Sequence, residues 1–118
     1  MREITNMAEE LGKALARTDE YQALKRAIEA SGEDRELTEF QNRIQELEQQ
    51  MQTRIKGGEE PTDEQKSEYE EIFSELQGNS TYQRLVAAQT NFDKVVSKVN
   101  QTIHEGIQKG ADSKIILS

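Results

Sequence analysis

The stretch LVAAQTNFDKVVSKVNQTI, residues 85–103, carries apolar side chains at steps of three and four residues. The positions on this spacing are Leu85, Gln89, Phe92, Val96, Val99 and Ile103. They fall along one side of a helix and predict a narrow seam that packs on another helix. Gln89 is its polar member. Either its amide fixes the alignment of paired helices, or the helix is rotated so that Val86 and Ala88 face the core.

A second seam of the same kind lies earlier in the chain. Its members are Leu37, Phe40, Ile44, Leu47 and Met51, with charged and amide residues at most positions between them. The segment KGGEEPTDEQ, residues 56–65, follows it and holds two adjacent glycines and the only proline. This composition predicts the turn of a helical hairpin. Within it, Thr62 and Gln65 match a capping box, so a new helix is expected to begin there.

These signals predict an all-α fold, a helical bundle. We expect two long antiparallel helices at about 34–56 and 80–108, and three shorter ones, of which two precede residue 34 and one spans about 63–77. Asp34 is expected to cap the first long helix, and Ser80 with Gln83 to form a capping box at the start of the second. A chain of 118 residues is about one domain's worth, so residues 1–108 are expected to form a single helical domain.

The C-terminal segment, residues 109–118, is predicted to be a tail that begins at a glycine-marked helix end. It contains three consecutive aliphatic residues, Ile115, Ile116 and Leu117. A free tail rarely carries such a triplet, so we expect the tail to dock on the bundle or on a second chain.

Composition constrains the partners of this chain. Hydrophobic residues make up 33% and charged residues 32%, so the apolar side chains suffice only for narrow helical stripes. A homodimer in which long helices from two chains complete a bundle is therefore favoured, with the two seams as the self-association surface. The net charge of −8 argues against direct binding of nucleic acid. No apolar run is long enough to span a bilayer and no secretory segment is evident, so membrane association is not expected and the cytoplasm is the expected location.

Signatures of catalysis are absent from the sequence. The chain has no cysteine, which excludes disulfides, thiolate metal sites and cysteine-ligated iron–sulfur clusters. His104 is the only histidine and lies late in a helix, where a surface position is the simplest interpretation. The motifs GxxxxGK[ST], HExxH and GxSxG do not occur. We therefore expect no enzyme activity, no cofactor and no metal.

Three segments resemble a known family of small bacterial proteins. They are MAEELGKALARTDEYQAL (residues 7–24), ELTEFQNRIQELEQQMQ (36–52) and LQGNSTYQRLVAAQTNFDKVVSKVNQTI (76–103). Together with the turn between them they resemble the YlbF/YmcA/YheA family over about residues 7–107. The resemblance implies an all-helical, self-associating protein whose better-studied relatives act through partners to regulate competence, sporulation and biofilm formation.

One branch of that family has a role in RNA processing. There, a complex of YlbF, YmcA and YaaT is associated with RNase Y-dependent mRNA processing and with cysteine-ligated iron–sulfur clusters. A chain without cysteine cannot ligate such clusters, and it is more similar to the cysteine-free YheA-like branch, whose function is undefined.

The expectation is thus a non-enzymatic helical adaptor or regulator that binds other proteins. The alternative is a prefoldin-like holding chaperone, which would also use a long helical hairpin. That fold needs strands between its coils, and KGGEEPTDEQ has no alternating apolar run to form them.

Overall fold

The computed structural model describes the backbone of residues 1–117 and the side chains of residues 1–111. Over these residues the backbone forms five helices and no strand. The helices are α1 (Arg2–Ala16), α2 (Asp19–Glu33), α3 (Arg35–Lys56), α4 (Asp63–Gln77) and α5 (Ser80–Leu117). The predicted all-α fold class is confirmed.

The last helix extends further than the sequence predicts. It continues past residue 108 and includes Gly106 and Gly110. A glycine inside a helix costs about 0.5–1 kcal/mol relative to alanine, and the left-handed backbone that commonly ends a helix is open to glycine but not imposed by it. Among the described residues, Gly58 in the α3–α4 turn is the one with such a φ, at 83°. The predicted docking of the tail concerns side chains 112–118, which lie outside the described residues, so it stays a prediction.

Side-chain caps fix the starts of α3 and α4, as predicted. Asp34 Oδ1 accepts a hydrogen bond from the Leu37 backbone N–H at 3.0 Å. Thr62 Oγ1 accepts from the Gln65 N–H at 3.0 Å, and the Gln65 side chain accepts from the Thr62 N–H at 3.0 Å. Each cap satisfies backbone donors that would otherwise lack a partner.

The corner between α1 and α2 is held by a local hydrogen-bond pattern. Thr18 Oγ1 accepts from the Tyr21 N–H at 3.1 Å and so caps α2. Gln22 Nε2 donates to the Ala16 carbonyl at 2.8 Å and satisfies the last turn of α1. The sequence that builds this corner is TDEYQ, residues 18–22.

The corner between α4 and α5 repeats that pattern with the sequence NSTYQ, residues 79–83. Asn79 Oδ1 accepts from the Tyr82 N–H at 2.8 Å, so Asn79 caps α5 in place of the predicted Ser80. Gln83 Nε2 donates to the Gln77 carbonyl at 2.8 Å instead of closing a capping box. The amide reaches back to an unpaired carbonyl of α4, which joins the end of one helix to the start of the next.

The chain packs as two compact units. Unit 1 comprises Met1–Leu24 and Ala88–Ser118, and unit 2 comprises Lys25–Ala87. In unit 2, α3 and α4 pack side by side, and the buried side chains are Ala27, Leu37, Leu47, Ile72 and Leu76. In unit 1, Leu24 and Ala88 are buried and the rings of Tyr21 and Phe92 meet edge to face at 5.3 Å. Within the described part of the chain, no helix is both long and apolar enough to cross a membrane.

The Asp34 cap makes the stability of the protein depend on pH. The Leu37 N–H, followed by the Thr81 hydroxyl and the Asn79 amide, holds the pKa of Asp34 below its ordinary value of 3.8. A carboxylate with a lowered pKa stabilises the fold at pH values above its unfolded pKa, and this contribution is lost as the pH falls through the folded pKa. We expect Asp34→Ala to lower the melting temperature at neutral pH, and the difference from wild type to shrink in acid.

Thermal melts followed by circular dichroism at neutral pH and well below the ordinary carboxyl pKa measure this difference. Glu39→Ala, which removes an exposed carboxylate from the same helix, is the matched control and should change the melting temperature little at either pH. A difference between Asp34→Ala and wild type that is the same at both pH values would contradict the assignment of the effect to the ionised cap.

Candidate protein-interaction surfaces

The predicted seam of α3 lies in unit 2, where α3 packs along α4. Leu37 and Leu47 are buried, and Phe40, Ile44 and Met51 are half-buried. Much of this seam is therefore covered by the chain itself. The part left for a second chain is small.

The predicted seam of α5 is less evenly covered. Leu85 is half-buried in unit 2, and Phe92, Val96 and Val99 are half-buried in unit 1, whereas Ile103 is half exposed. Gln89 is exposed, and its Nε2 donates to Asp93 Oδ1 at 2.9 Å on the same helix. The alternative of a rotated helix predicts that Val86 and Ala88 both face the core. Ala88 is buried, but Val86 is exposed.

An open apolar groove runs between α1 and the later part of α5 in unit 1. We call it the α1–α5 groove; it has a volume of about 650 Å³ and is lined by Ile4, Met7, Ala8, Leu11, Ile103, Gly106 and Ile107. Met7 is 71% exposed, and Ile4 and Ile107 are each 63% exposed. Within the described part of the chain, no side chain of α1 is buried. Exposed apolar surface on this scale makes the groove a candidate interaction site.

Helical spacing and one glycine build the α1–α5 groove. On α1, the lining residues recur at steps of three, one and three residues, which places them on one face. On α5, Ile103 and Ile107 are one turn apart, and Gly106 between them has open space where a Cβ would lie. The groove carries no charged lining residue, so it is suited to an apolar occupant.

The sequence predicts Ile103 as part of the α5 seam, but it does not predict that the α1 residues or Ile107 belong to an interaction surface. Two features of the sequence indicate this surface. Ile107 follows Ile103 after a further step of four residues, and the residues of α1 form an amphipathic pattern. Such patterns identify an apolar face, but they do not say whether the same chain covers it.

A second surface depression lies in unit 2, where α4 ends and α5 begins. We call it the corner groove; it consists of two hollows of about 390 and 360 Å³ that share Gln77. Tyr69 and Phe73 line the first, and their rings stack at 5.9 Å with an interplanar angle of 24°. Tyr82 and Val86 line the second. Three of the chain's six tyrosines and phenylalanines thus meet at one corner.

The Tyr69 side chain is held in place by α3. Its hydroxyl donates to Glu48 Oε1 at 3.2 Å. Desolvation raises the pKa of Tyr69, and the hydrogen bond to Glu48 and the charge of that carboxylate raise it further. The phenol therefore stays protonated at physiological pH, which keeps this donor in position.

The remaining candidates for a site are polar. Among the described residues, no polar or charged side chain is buried, and no three histidine or carboxylate side chains lie close enough together to hold a metal ion. His104 is on the surface of α5, with its Nε2 3.4 Å from Gln108 Nε2. The two grooves are the candidate functional features.

Comparison with protein families shows which family the chain belongs to. The family model described as "Control of competence regulator ComK, YlbF/YmcA" matches residues 4–108. The chain belongs to the YlbF/YmcA family. The resemblance inferred from the sequence is thereby confirmed.

Two relatives, each named "UPF0342 protein", are 29% identical to this chain. One, from Limosilactobacillus reuteri (strain DSM 20016), aligns over 89% of this chain and 85% of its own length. The other, from Staphylococcus saprophyticus, aligns over 81% and 84%.

Two solved structures share the fold of this YlbF/YmcA member. RicA of Bacillus subtilis, crystallised in complex with RicF, matches with a TM-score of 0.81 and 13% identity, over 92% of this chain and 96% of RicA. A protein of unknown function (DUF964) from Bacillus stearothermophilus matches with a TM-score of 0.64 and 17% identity, over 89% and 92%. At these identities the likeness concerns the fold alone.

Proposed function

We propose that this chain is a non-enzymatic adaptor of the cytoplasm that works as a homodimer and regulates other proteins by binding them. The observation that most directly supports this proposal is the α1–α5 groove, whose apolar lining is largely exposed in the single chain. A second copy with the same groove can cover it symmetrically, because a two-fold interface pairs a patch with itself. The absence of charge in the lining removes like-charge repulsion between the two copies at that point.

The family supports the regulatory part of the proposal. Its description names control of the competence regulator ComK. RicA, which has the same fold, is found in complex with RicF, and this supports a role in binding other proteins. The prefoldin-like chaperone is the weaker candidate, because that fold needs strands and residues 1–117 form none.

Light scattering across a dilution series tests the homodimer. We expect a mass twice the chain's 13.5 kDa at micromolar concentration. A chain that remains a folded monomer across the whole series, as judged by mass and by helical circular dichroism, would remove the basis of the proposal.

A further inference from the structure

The corner groove differs from the α1–α5 groove in its chemistry. Three of its nine lining residues are aromatic, and its first hollow lies on the most acidic helix of the chain. Helix α4 contains Asp63, Glu64, Glu68, Glu70, Glu71 and Glu75 against the single cation Lys66, which is six negative charges less one positive and gives −5. Aromatic side chains are enriched at the centres of protein interfaces, where they fill pockets on the partner.

Few of these carboxylates are neutralised within the chain. The ion pairs of the described residues include one from α4, between Glu68 and Arg43 of α3 at 3.2 Å. Glu70 lines the first hollow of the groove, and Glu71 and Glu75 are exposed on the same helix. In the first turns of α5, residues 80–91, Arg84 is the sole charged side chain. Among the α4 carboxylates Glu70 alone lines a hollow, while the helix as a whole keeps its negative charge.

The groove is also held in shape before anything binds. Tyr69 is tied to Glu48 of α3, and its ring stacks on Phe73. The Gln83–Gln77 and Tyr82–Asn79 hydrogen bonds, each 2.8 Å long, fix the corner between the two hollows. A surface that is already ordered loses little conformational entropy on binding, which favours affinity.

We propose that the corner groove binds an amphipathic helix of another protein, with apolar side chains in the two hollows and Lys or Arg residues flanking them. Two adjacent hollows suit apolar anchors one turn apart on a bound helix. The net charge of −5 on α4, together with Glu70 at the first hollow, favours basic flanks by charge complementarity. A second copy of this chain is a poor occupant, since its own net charge is −8, and the same negative charge disfavours nucleic acid. The inference rests on the proposed adaptor function and names the chemistry of its partner.

A designed peptide tests the proposal on the full chain. The probe is a synthetic helix of Leu and Lys of about 18 residues, or about five turns, with the leucines on one face. Its control is a peptide of the same composition in scrambled order, which has the same charge but no apolar face. Fluorescence anisotropy measures the affinities, and amide shifts in NMR spectra locate the bound peptide.

The expected result is binding of the amphipathic peptide at Tyr69, Phe73, Tyr82 and Val86, with weaker binding of the scrambled one. Phe73→Ser should lower the affinity at least about tenfold, as truncation of a central interface residue does. Glu70→Lys, a surface change that leaves the packing intact, should also lower it. The affinity should fall as salt rises from about 50 to about 500 mM, because exposed charges are screened.

The matched control is Ile4→Ser, which alters the α1–α5 groove and should leave peptide affinity unchanged. Equal affinity for the two peptides, or an affinity that neither Phe73→Ser nor Glu70→Lys lowers, would overturn the proposal. Loss of peptide binding in Ile4→Ser alone would do so as well, by placing the site in unit 1. Light scattering on the same variants separates the two proposals, because a monomeric wild type that still binds the peptide at Phe73 removes the homodimer and keeps the corner groove.

Discussion

Met7→Glu is expected to convert the homodimer into folded monomers. Met7 is the most exposed lining residue of the α1–α5 groove, so the substitution perturbs nothing within the single chain. In a two-fold dimer each copy would lose the burial of one methionine, worth about 1.5–3 kcal/mol, and two carboxylates would enter an apolar interface. The summed loss of at least about 3 kcal/mol raises the dissociation constant more than about 100-fold.

The matched control is Ile55→Glu. Ile55 is a similarly exposed apolar residue, but it belongs to α3 in unit 2 and does not line the groove. Light scattering at micromolar concentration should give the monomer mass for Met7→Glu and the dimer mass for Ile55→Glu, and both should keep wild-type helical circular dichroism. A dimeric Met7→Glu together with a monomeric Ile55→Glu would move the interface to unit 2 and refute the assignment.

The sequence predicts the helices well because local chemistry determines where they start. The Asp34 cap and the Thr62–Gln65 box are made by neighbours in the chain, so a motif of four residues contains all the information needed. The start of α5 is a different case, since Asn79 and Ser80 are both good caps. In the structure Asn79 is the cap and the Gln83 amide donates to the Gln77 carbonyl of α4, a bond between two helices that a capping-box motif at Ser80 does not contain.

The end of α5 and the covered faces are harder to predict. Gly110 suggests a helix end, but the backbone there is not left-handed and the helix continues. The spacing of Leu37 to Met51 and of Leu85 to Ile103 identifies two apolar faces. It cannot tell that α4 covers much of the first, while Ile103 remains exposed beside Met7. Burial is set by tertiary packing, which a periodic pattern constrains only to one side of each helix.

The spacing of apolar residues on α4 also does not determine which of them lie at the surface. Tyr69 and Phe73 follow the spacing of an apolar face of α4, yet they stack on its surface while Ile72 and Leu76 take the interior. The two pairs are separated by about 60° around the helix, so a rotation smaller than one residue's step would bury Tyr69 and Phe73 instead, and composition alone does not decide between these orientations. The tyrosine hydroxyl favours the observed choice, because at the surface it reaches the Glu48 carboxylate.

Ile72→Ala is expected to produce a large loss of stability in unit 2. Ile72 lies on α4, the helix that packs along α3, and is 1% exposed. Truncating a buried isoleucine removes its transfer free energy and leaves a cavity, which together cost about 2–5 kcal/mol. A domain of this size unfolds with a total of about 5–15 kcal/mol, so the melting temperature should fall by roughly 8–20 °C.

Ile55→Ala provides the matched control, because it makes the same chemical change on the neighbouring helix at a side chain that is 59% exposed. Its cost should stay below about 1 kcal/mol, since most of that side chain already lies in water. Chemical denaturation followed by circular dichroism, at one fixed protein concentration, measures both. Equal losses for the two variants would mean that the α3–α4 packing contributes little to stability, and that unit 2 relies on contacts that the isolated chain does not make.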